Sequence, residues 1–188
     1  MAMNAGALLA KTMAQHIGDF RNKRVDCCPP ELAVAAAEIG DPNLALNLLR
    51  ASQEENPWAV PAVLGRLARR GETALTLAYA EQTPDPDLRG ESLAELVAAA
   101  MARKDRPSAE TAFARLAKLT NGAGARRPVL MAQRAKAEQA LYRDEGWRSA
   151  FQAALNAAER ASNFVRRDAG APLLAALMRI ETGNPMLD

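Results

Sequence analysis

Apolar residues return every three or four positions along most of this chain, and no stretch alternates apolar with polar residues. The pattern therefore predicts helices and no strands. The clearest stripe is Ala109, Ala112, Phe113, Leu116 and Ala117, at i, i+3, i+4, i+7 and i+8 on one helical face. A second helical run from Leu93 precedes it, and the two are joined by Lys104-Asp105-Arg106-Pro107. Proline suits that joint because its missing N–H is not needed in a first turn. One hairpin of this kind cannot bury its apolar face alone, so neighbouring hairpins have to stack on it.

The same alternation of stripe and turn extends in both directions. Residues 3–20 read as an opening helix with Leu8, Leu9, Met13 and Ile17 near one face, followed by a basic connector to Pro29-Pro30. Leu32 to Ile39 reads as a helix stopping at Gly40-Asp41-Pro42, where Asp41 can cap the next helix, with Leu44, Ala45, Leu48 and Leu49 as its seam. Pro57 opens a helix through Leu67, with a late start where Pro61 intervenes, and Arg69-Arg70-Gly71 ends it. Glu72 to Glu81 is a short helix, and Gln82 to Pro86 a stiff loop before a helix beginning near Leu88. Thr120-Asn121-Gly122-Ala123-Gly124 is the best candidate for a break. Helices from about Arg127 to Arg143 and around Trp147 to Ala158 follow. Ser162 or Asn163 caps a last helix whose Leu173, Leu174, Leu177 and Met178 face inward.

The expected architecture is all-α, a single domain over 1–188 with about nine or ten helices. An N-terminal helix and connector occupy 3–25, helical hairpins 26–120, and C-terminal hairpins with a capping helix 125–188. The turns at Gly40-Asp41, Gly71-Glu72, Lys104-Asp105 and Glu145-Gly146 recur at roughly 31, 34 and 40 residues, the range of helical solenoid units. Leu32, Ala33, Ala36, Gly40, Asp41, Ala45, Leu49 and Pro57 carry the pattern of one unit. Leu96, Asp105, Ala109 and Phe113 carry that of another, and Gly146, Ala150, Ala154 and Ala157 part of a third. In these positions, over about residues 26–160, the chain resembles tetratricopeptide-like repeats. It departs from them at Leu75, which stands where the second-helix alanine belongs, and in lacking the first-helix aromatic. HEAT-like hairpins or an irregular bundle remain open alternatives.

Composition narrows the function classes. Of 188 residues 49% are apolar, enough for a buried core, but only 4% are aromatic, so small side chains at close helix spacing must build it. The formal net charge of +2 is too balanced to imply nucleic acid or an anionic membrane. No run of apolar residues is long enough to span a bilayer. The N-terminal stretch lacks a basic leader and makes a poor secretory signal; a first packing helix is favoured over an organelle-targeting segment. Cys27 and Cys28 are the only cysteines and adjacent, which excludes a disulfide framework and suits a cytoplasmic location. They read as half-buried residues at a helix entrance rather than a reactive pair.

Nothing in the sequence invites catalysis. His16 is the only histidine, and with two adjacent cysteines it cannot complete the usual zinc sets. No serine sits in a GxSxG setting, and no GxxxxGK[ST] or GxGxxG phosphate loop occurs. Glu54-Glu55 and Asp85/Asp87 sit in loops or at helix starts, where acids favour the helix dipole. The expectation is a non-enzyme without cofactor or metal.

The resemblance implies a protein-interaction module, an adaptor, scaffold or chaperone-like part that binds a partner peptide or helix in a groove lined by first helices. Transferred to this chain, the lining is Val34, Ala37 and Glu38, then Ala98, Met101 and Ala102, then Gln139, Tyr142 and Arg143. That lining is mostly small and apolar with a charged rim. The runner-up is a nucleic-acid-binding helical array with a basic track of Arg69, Arg70, Arg103, Lys104, Arg126, Arg127, Arg166 and Arg167. A third class is a subunit that self-associates through an exposed alanine-leucine face.

Overall fold

Nine α-helices account for nearly all of the described chain. The computed structural model describes residues 30–52, 56–142 and 146–181. The expected opening helix, Cys27, Cys28, His16, Glu54-Glu55 and Arg143 lie outside them. The helices are α1 Pro30–Ile39, α2 Pro42–Ser52, α3 Ala59–Arg69, α4 Thr73–Gln82 and α5 Pro86–Ala102. They continue as α6 Arg106–Asn121, α7 Arg127–Leu141, α8 Gly146–Glu159 and α9 Asn163–Glu181, with a 3₁₀ turn at Gly124–Arg126 leading into α7. No strand occurs among the described residues.

Proline and acid chemistry set the starts. Pro42 and Pro86 are first residues of their helices, and Pro107 and Pro128 second residues, where no N–H is owed to the preceding turn. Asp41 Oδ1 accepts from the Leu44 N–H at 2.9 Å, and Asp105 Oδ1 from the Ser108 N–H at 3.3 Å. Asp85 Oδ1 accepts from Asp87 and Leu88 at 2.8 and 3.1 Å, so α5 starts at Pro86 rather than near Leu88. Pro57 lies in a turn and α3 starts at Ala59, which leaves Pro61 in the first turn, where it costs no hydrogen bond.

Three of the turns are copies of one geometry. At Gly40, Gly71 and Lys104 the backbone is left-handed, with φ of 84°, 107° and 61°. Each is closed by the same hydrogen-bond pair: Gly40 to Ala37 O and Asp41 to Ala36 O, Gly71 to Ala68 O and Glu72 to Leu67 O, Lys104 to Met101 O and Asp105 to Ala100 O. An arginine from the next hairpin lies on the first two. Arg70 donates to Glu38 O, and Arg103 donates to Ala68 O at 3.2 Å and Thr73 Oγ1 at 3.3 Å. A Cβ at Gly40 would meet Arg70 Nη1 at 2.8 Å, so there glycine serves both the left-handed φ and the close approach of the guanidinium.

Packing joins each odd helix to the next: α1 to α3, α3 to α5, α5 to α7, and α7 to α9. Even helices α2, α6 and α8 also pack on the odd helices before and after them, and α4 packs between α3 and α5. The main core holds Leu49, Leu64, Leu67, Leu93, Leu96 and Leu116 with their alanine neighbours, and takes in Ala137 and Leu141 at the end of α7. A second cluster joins Val129, Ala132 and Ala135 of α7 to Ala154 and Ala158 of α8 and Ala169 and Leu173 of α9. The two meet along α7. Leu174, expected to face inward, is 58% exposed, because Leu173 takes the inward position on α9. Leu75 is likewise exposed, since α4 turns Thr76 and Ala80 inward instead.

Candidate binding face

The odd helices share a face on which acids and bases far apart in sequence are paired. Glu38 on α1 pairs with Arg66 on α3. Arg69 on α3 lies 3.9 Å from Glu95 on α5, whose other oxygen accepts from Lys136 Nζ on α7 at 2.6 Å. Near the far end Arg126 bridges α5 and α9, donating to Asp87 Oδ2 and, at 2.9 Å, to Asp168 Oδ2. The exposed pair at Glu38 contributes little to stability. The Glu95–Lys136 pair is held with side chains only 19% and 10% exposed, so its geometry fixes the register of α5 against α7.

Between α5, α7 and α9 this face opens into a cavity of about 580 Å³. Asp87 and Glu91 line it from α5, Gln133 and Lys136 from α7, and Asp168 and Ala171 from α9. Helical spacing explains the set. Asp87, Glu91 and Glu95 stand at i, i+4 and i+8 along one edge of α5, and Gln133 and Lys136 at i and i+3 on α7. Gln133 is 6% exposed. Its Oε1, like Asp87 Oδ1, is buried and accepts no hydrogen bond from any described residue. Burial pushes the Glu91 carboxyl above its ordinary range; Lys136 pulls it back down and Glu95 adds to the rise. Arg126 is held above the usual guanidinium value, mainly by its hydrogen bond to Asp87.

The groove positions transferred from the family pattern are spread along the same helices. Val34 and Met101 are half-buried and pack against the main core, Ala37 is fully buried, and Ala98 and Gln139 are half-buried. Glu38 and Ala102 are exposed. Tyr142 turns away to the α5–α6 hairpin, edge-on to Phe113 at 6.2 Å and beneath the Arg106 guanidinium at 6.0 Å. The cavity residues Asp87, Glu91, Gln133 and Lys136 were not among the expected lining, which centres on the C-terminal halves of α1, α5 and α7. The charges on α5 sit one or more turns closer to its N-terminus, in the middle of the face rather than on its rim. The signal that marks them is the i, i+4, i+8 spacing of the three acids on α5 together with Gln133 and Lys136 at i and i+3 on α7.

The basic residues are dispersed rather than joined. Arg70 and Arg103 cap the preceding hairpins, Arg69 and Arg126 reach carboxylates, and Arg166 donates to Glu159 O at 2.7 Å. Arg167 stacks on Phe164 at 5.2 Å, and Lys104 and Arg127 are exposed. Arg127 and Arg160 flank a second cavity of about 670 Å³ with an apolar floor that includes Met131 and Val165. Among the described residues no cluster of His, Cys, Asp and Glu has the make-up of a metal site, and no helix is long and apolar enough to cross a membrane. No family model matches the chain, and neither a curated protein nor a solved structure matches it.

Proposed function

We propose that this chain is a non-catalytic protein-interaction module, a short tetratricopeptide-like stack of helical hairpins whose odd-helix face takes a peptide or helix of a partner protein. The observation that carries the reading is the cavity between α5, α7 and α9, which opens on that face and is walled by charged side chains such as Asp87, Glu91 and Lys136 together with the apolar Val129, Ala171 and Pro172. The three identical turn closures and the odd-to-odd packing support a stacked array with one continuous face.

The reading is tested by selecting peptides from a displayed library against the full chain and measuring their affinity for variants. Ala171→Trp fills the cavity from its exposed edge, and Ala114→Trp places the same bulk on the outer surface of α6. Binding weakened at least about tenfold by the first and unchanged by the second is the expected result. Equal behaviour of the two variants sinks the proposal. Capture of nucleic acid that is lost as salt rises would favour the arginine track instead.

A further inference from the structure

The second cavity, of about 670 Å³, lies where α8 ends and α7 and α9 begin. The α7 residues that line it, Pro128 and Met131, stand on the other side of that helix from Val129, Gln133 and Lys136, which line the cavity between α5, α7 and α9. It also takes an edge of the even helix α8, where Ala153, Asn156 and Ala157 fall at i, i+3 and i+4, with Arg160 just past the helix end. The two cavities share no lining residue.

Their charges differ as well. The second lining carries two positive side chains, Arg127 and Arg160, and no acid; Glu159, next to Arg160, lies outside it. Neither arginine makes a hydrogen bond, ion pair or ring contact with any described residue. Every other arginine whose side chain is described has a partner. Among the described residues, the two uncommitted guanidiniums therefore meet at one cavity. The neutral polar groups there offer donors too. Asn156 Oδ1 accepts from Gln152 Nε2 at 3.0 Å and Ser162 Oγ from the Val165 N–H at 3.5 Å, which leaves the Asn156 amide and the Ser162 hydroxyl to donate. All four of these side chains are exposed and open to a ligand, above a floor where Met131 and Val165 are half-buried.

An occupant that answers this lining carries an anion and an apolar group side by side. Guanidiniums bind planar anions through paired N–H donors, and the floor takes the apolar group. No aromatic ring lines the cavity for a base to stack on, which favours a protein over nucleic acid. A small amphiphile is held by enclosure, whereas most of the lining residues here are exposed, a broad mouth that suits side chains of a longer segment running across it. The anion that an unmodified protein segment supplies is a carboxylate.

We propose that the cavity between α7, α8 and α9 is a second docking site, for an acidic segment of a partner protein. A glutamate or aspartate side chain of that segment is held by Arg127 and Arg160, and an apolar side chain beside it rests on Met131 and Val165. The site stands on residues separate from the odd-helix face and does not depend on it.

The experiment selects peptides from a displayed library against the full chain and sorts them by the variants that release them. Expected is a class with glutamate or aspartate beside an apolar residue. Arg127→Ala together with Arg160→Ala should weaken that class at least about tenfold, and so should glutamine in place of the acid, while Ala171→Trp leaves it unchanged. Arg160→Glu should turn the preference from glutamate toward lysine, a reversal that a merely structural role would not produce. Because both arginines are exposed and uncommitted, the double variant should melt at the temperature of the unaltered chain.

The assignment falls if no selected class responds to the double variant, if the responding peptides carry no acid, or if glutamine serves as well as glutamate. A lowered melting temperature with no reversal in Arg160→Glu would give the arginines a structural role and end it too. So would decanoate shifting the Met131 methyl signal at lower concentration than the peptides, or oligothymidylate binding in their place and being lost as salt rises. Release of the class by Ala171→Trp would move it to the odd-helix face. None of these results touches the reading of that face, which stands or falls with the peptides that Ala171→Trp releases.

Discussion

The core shared by α1 to α6 encloses several large side chains among its alanines, whereas the cluster joining α7, α8 and α9 encloses few among the described residues. In the first, Leu49, Leu64, Leu67, Leu93, Leu96 and Leu116 are fully enclosed. In the second, Ala132, Ala135, Ala154, Ala158 and Ala169 meet with Val129 and Leu173 as the larger buried members among the described residues, and Met131, Phe151, Leu155 and Val165 pack half-buried against them. Burying a leucine contributes about 1.5–3 kcal/mol and a single methyl group about 0.8 kcal/mol, so truncating an enclosed leucine is the costlier change. In the second cluster Ala132, Ala135, Ala154 and Ala169 are fully buried, so a larger side chain at any of them has to displace a neighbour. The odd-face cavity lies between α5, of the main core, and α7 and α9, which carry the second cluster.

The sharpest way to break this contrast is a matched pair of core substitutions. Leu96→Ala should cost about 2–5 kcal/mol in urea unfolding, because it leaves a cavity in the enclosed core. Ala135→Leu should cost about 1–3 kcal/mol by overpacking the α7–α8–α9 contact, and should raise hydrogen exchange in α8 and α9 first. If Ala135→Leu were silent, the close-packed account of that cluster would be wrong.

Gly90 sharpens the seam between the regions. It is buried on α5, and a Cβ there would overlap Leu130 Cδ2 on α7. Gly90→Ala gains helix propensity yet should destabilise by about 1–3 kcal/mol, with loss of exchange protection on both sides of α7. A stabilised variant would show that Leu130 can simply turn aside.

Asp85→Ala removes the acceptor of two N–H groups at the start of α5 and should cost about 1 kcal/mol in thermal or urea unfolding. It should leave α8 and α9 no less protected than the global change requires.

The smallest effect belongs to Glu91. Its folded carboxyl titrates above its unfolded value, so the folded state holds the extra proton. The stabilisation is therefore full below the unfolded titration and disappears as pH rises through the folded one. Glu91→Gln should raise the melting temperature slightly at neutral pH and change it little in acid, read by calorimetry across that window. A gain in acid with none at neutral pH would reverse the sign and discredit the burial of this carboxyl.

Several of these features were legible before any coordinates. The prolines at 42, 107 and 128 and the acids at 41 and 105 mark helix starts by local chemistry, and the structure places the starts there, whereas Asp85 and Pro86, expected in a loop, start α5. Gly40 and Gly71 mark helix ends for the same reason. Lys104 gives no such signal, since a lysine rarely takes a left-handed φ. The parallel of Arg70-Gly71-Glu72 with Arg103-Lys104-Asp105 is what betrays it. That parallel also marks the two arginines as turn clasps, a role that a reading of doublets as a basic track passes over.

The ion pairs on the odd-helix face were illegible because their partners lie 26 to 42 residues apart, from Arg69 with Glu95 to Arg126 with Asp168. Composition reports only that acids and bases balance. Which acid meets which base depends on the crossing of α1, α3, α5 and α7, and a shift of one residue in any helix would re-sort them.

By itself the sequence determined the helices, their caps and the three turn positions, because each depends on residues within a few places of one another. Only the tertiary structure decided that Gln133 and Asp87 would each bury an oxygen without a partner among the described residues, and that Glu91 and Lys136 would line one cavity. The reason is physical. Local hydrogen bonding fixes a helix wherever it occurs, but desolvation and charge pairing exist only once separate helices have packed together.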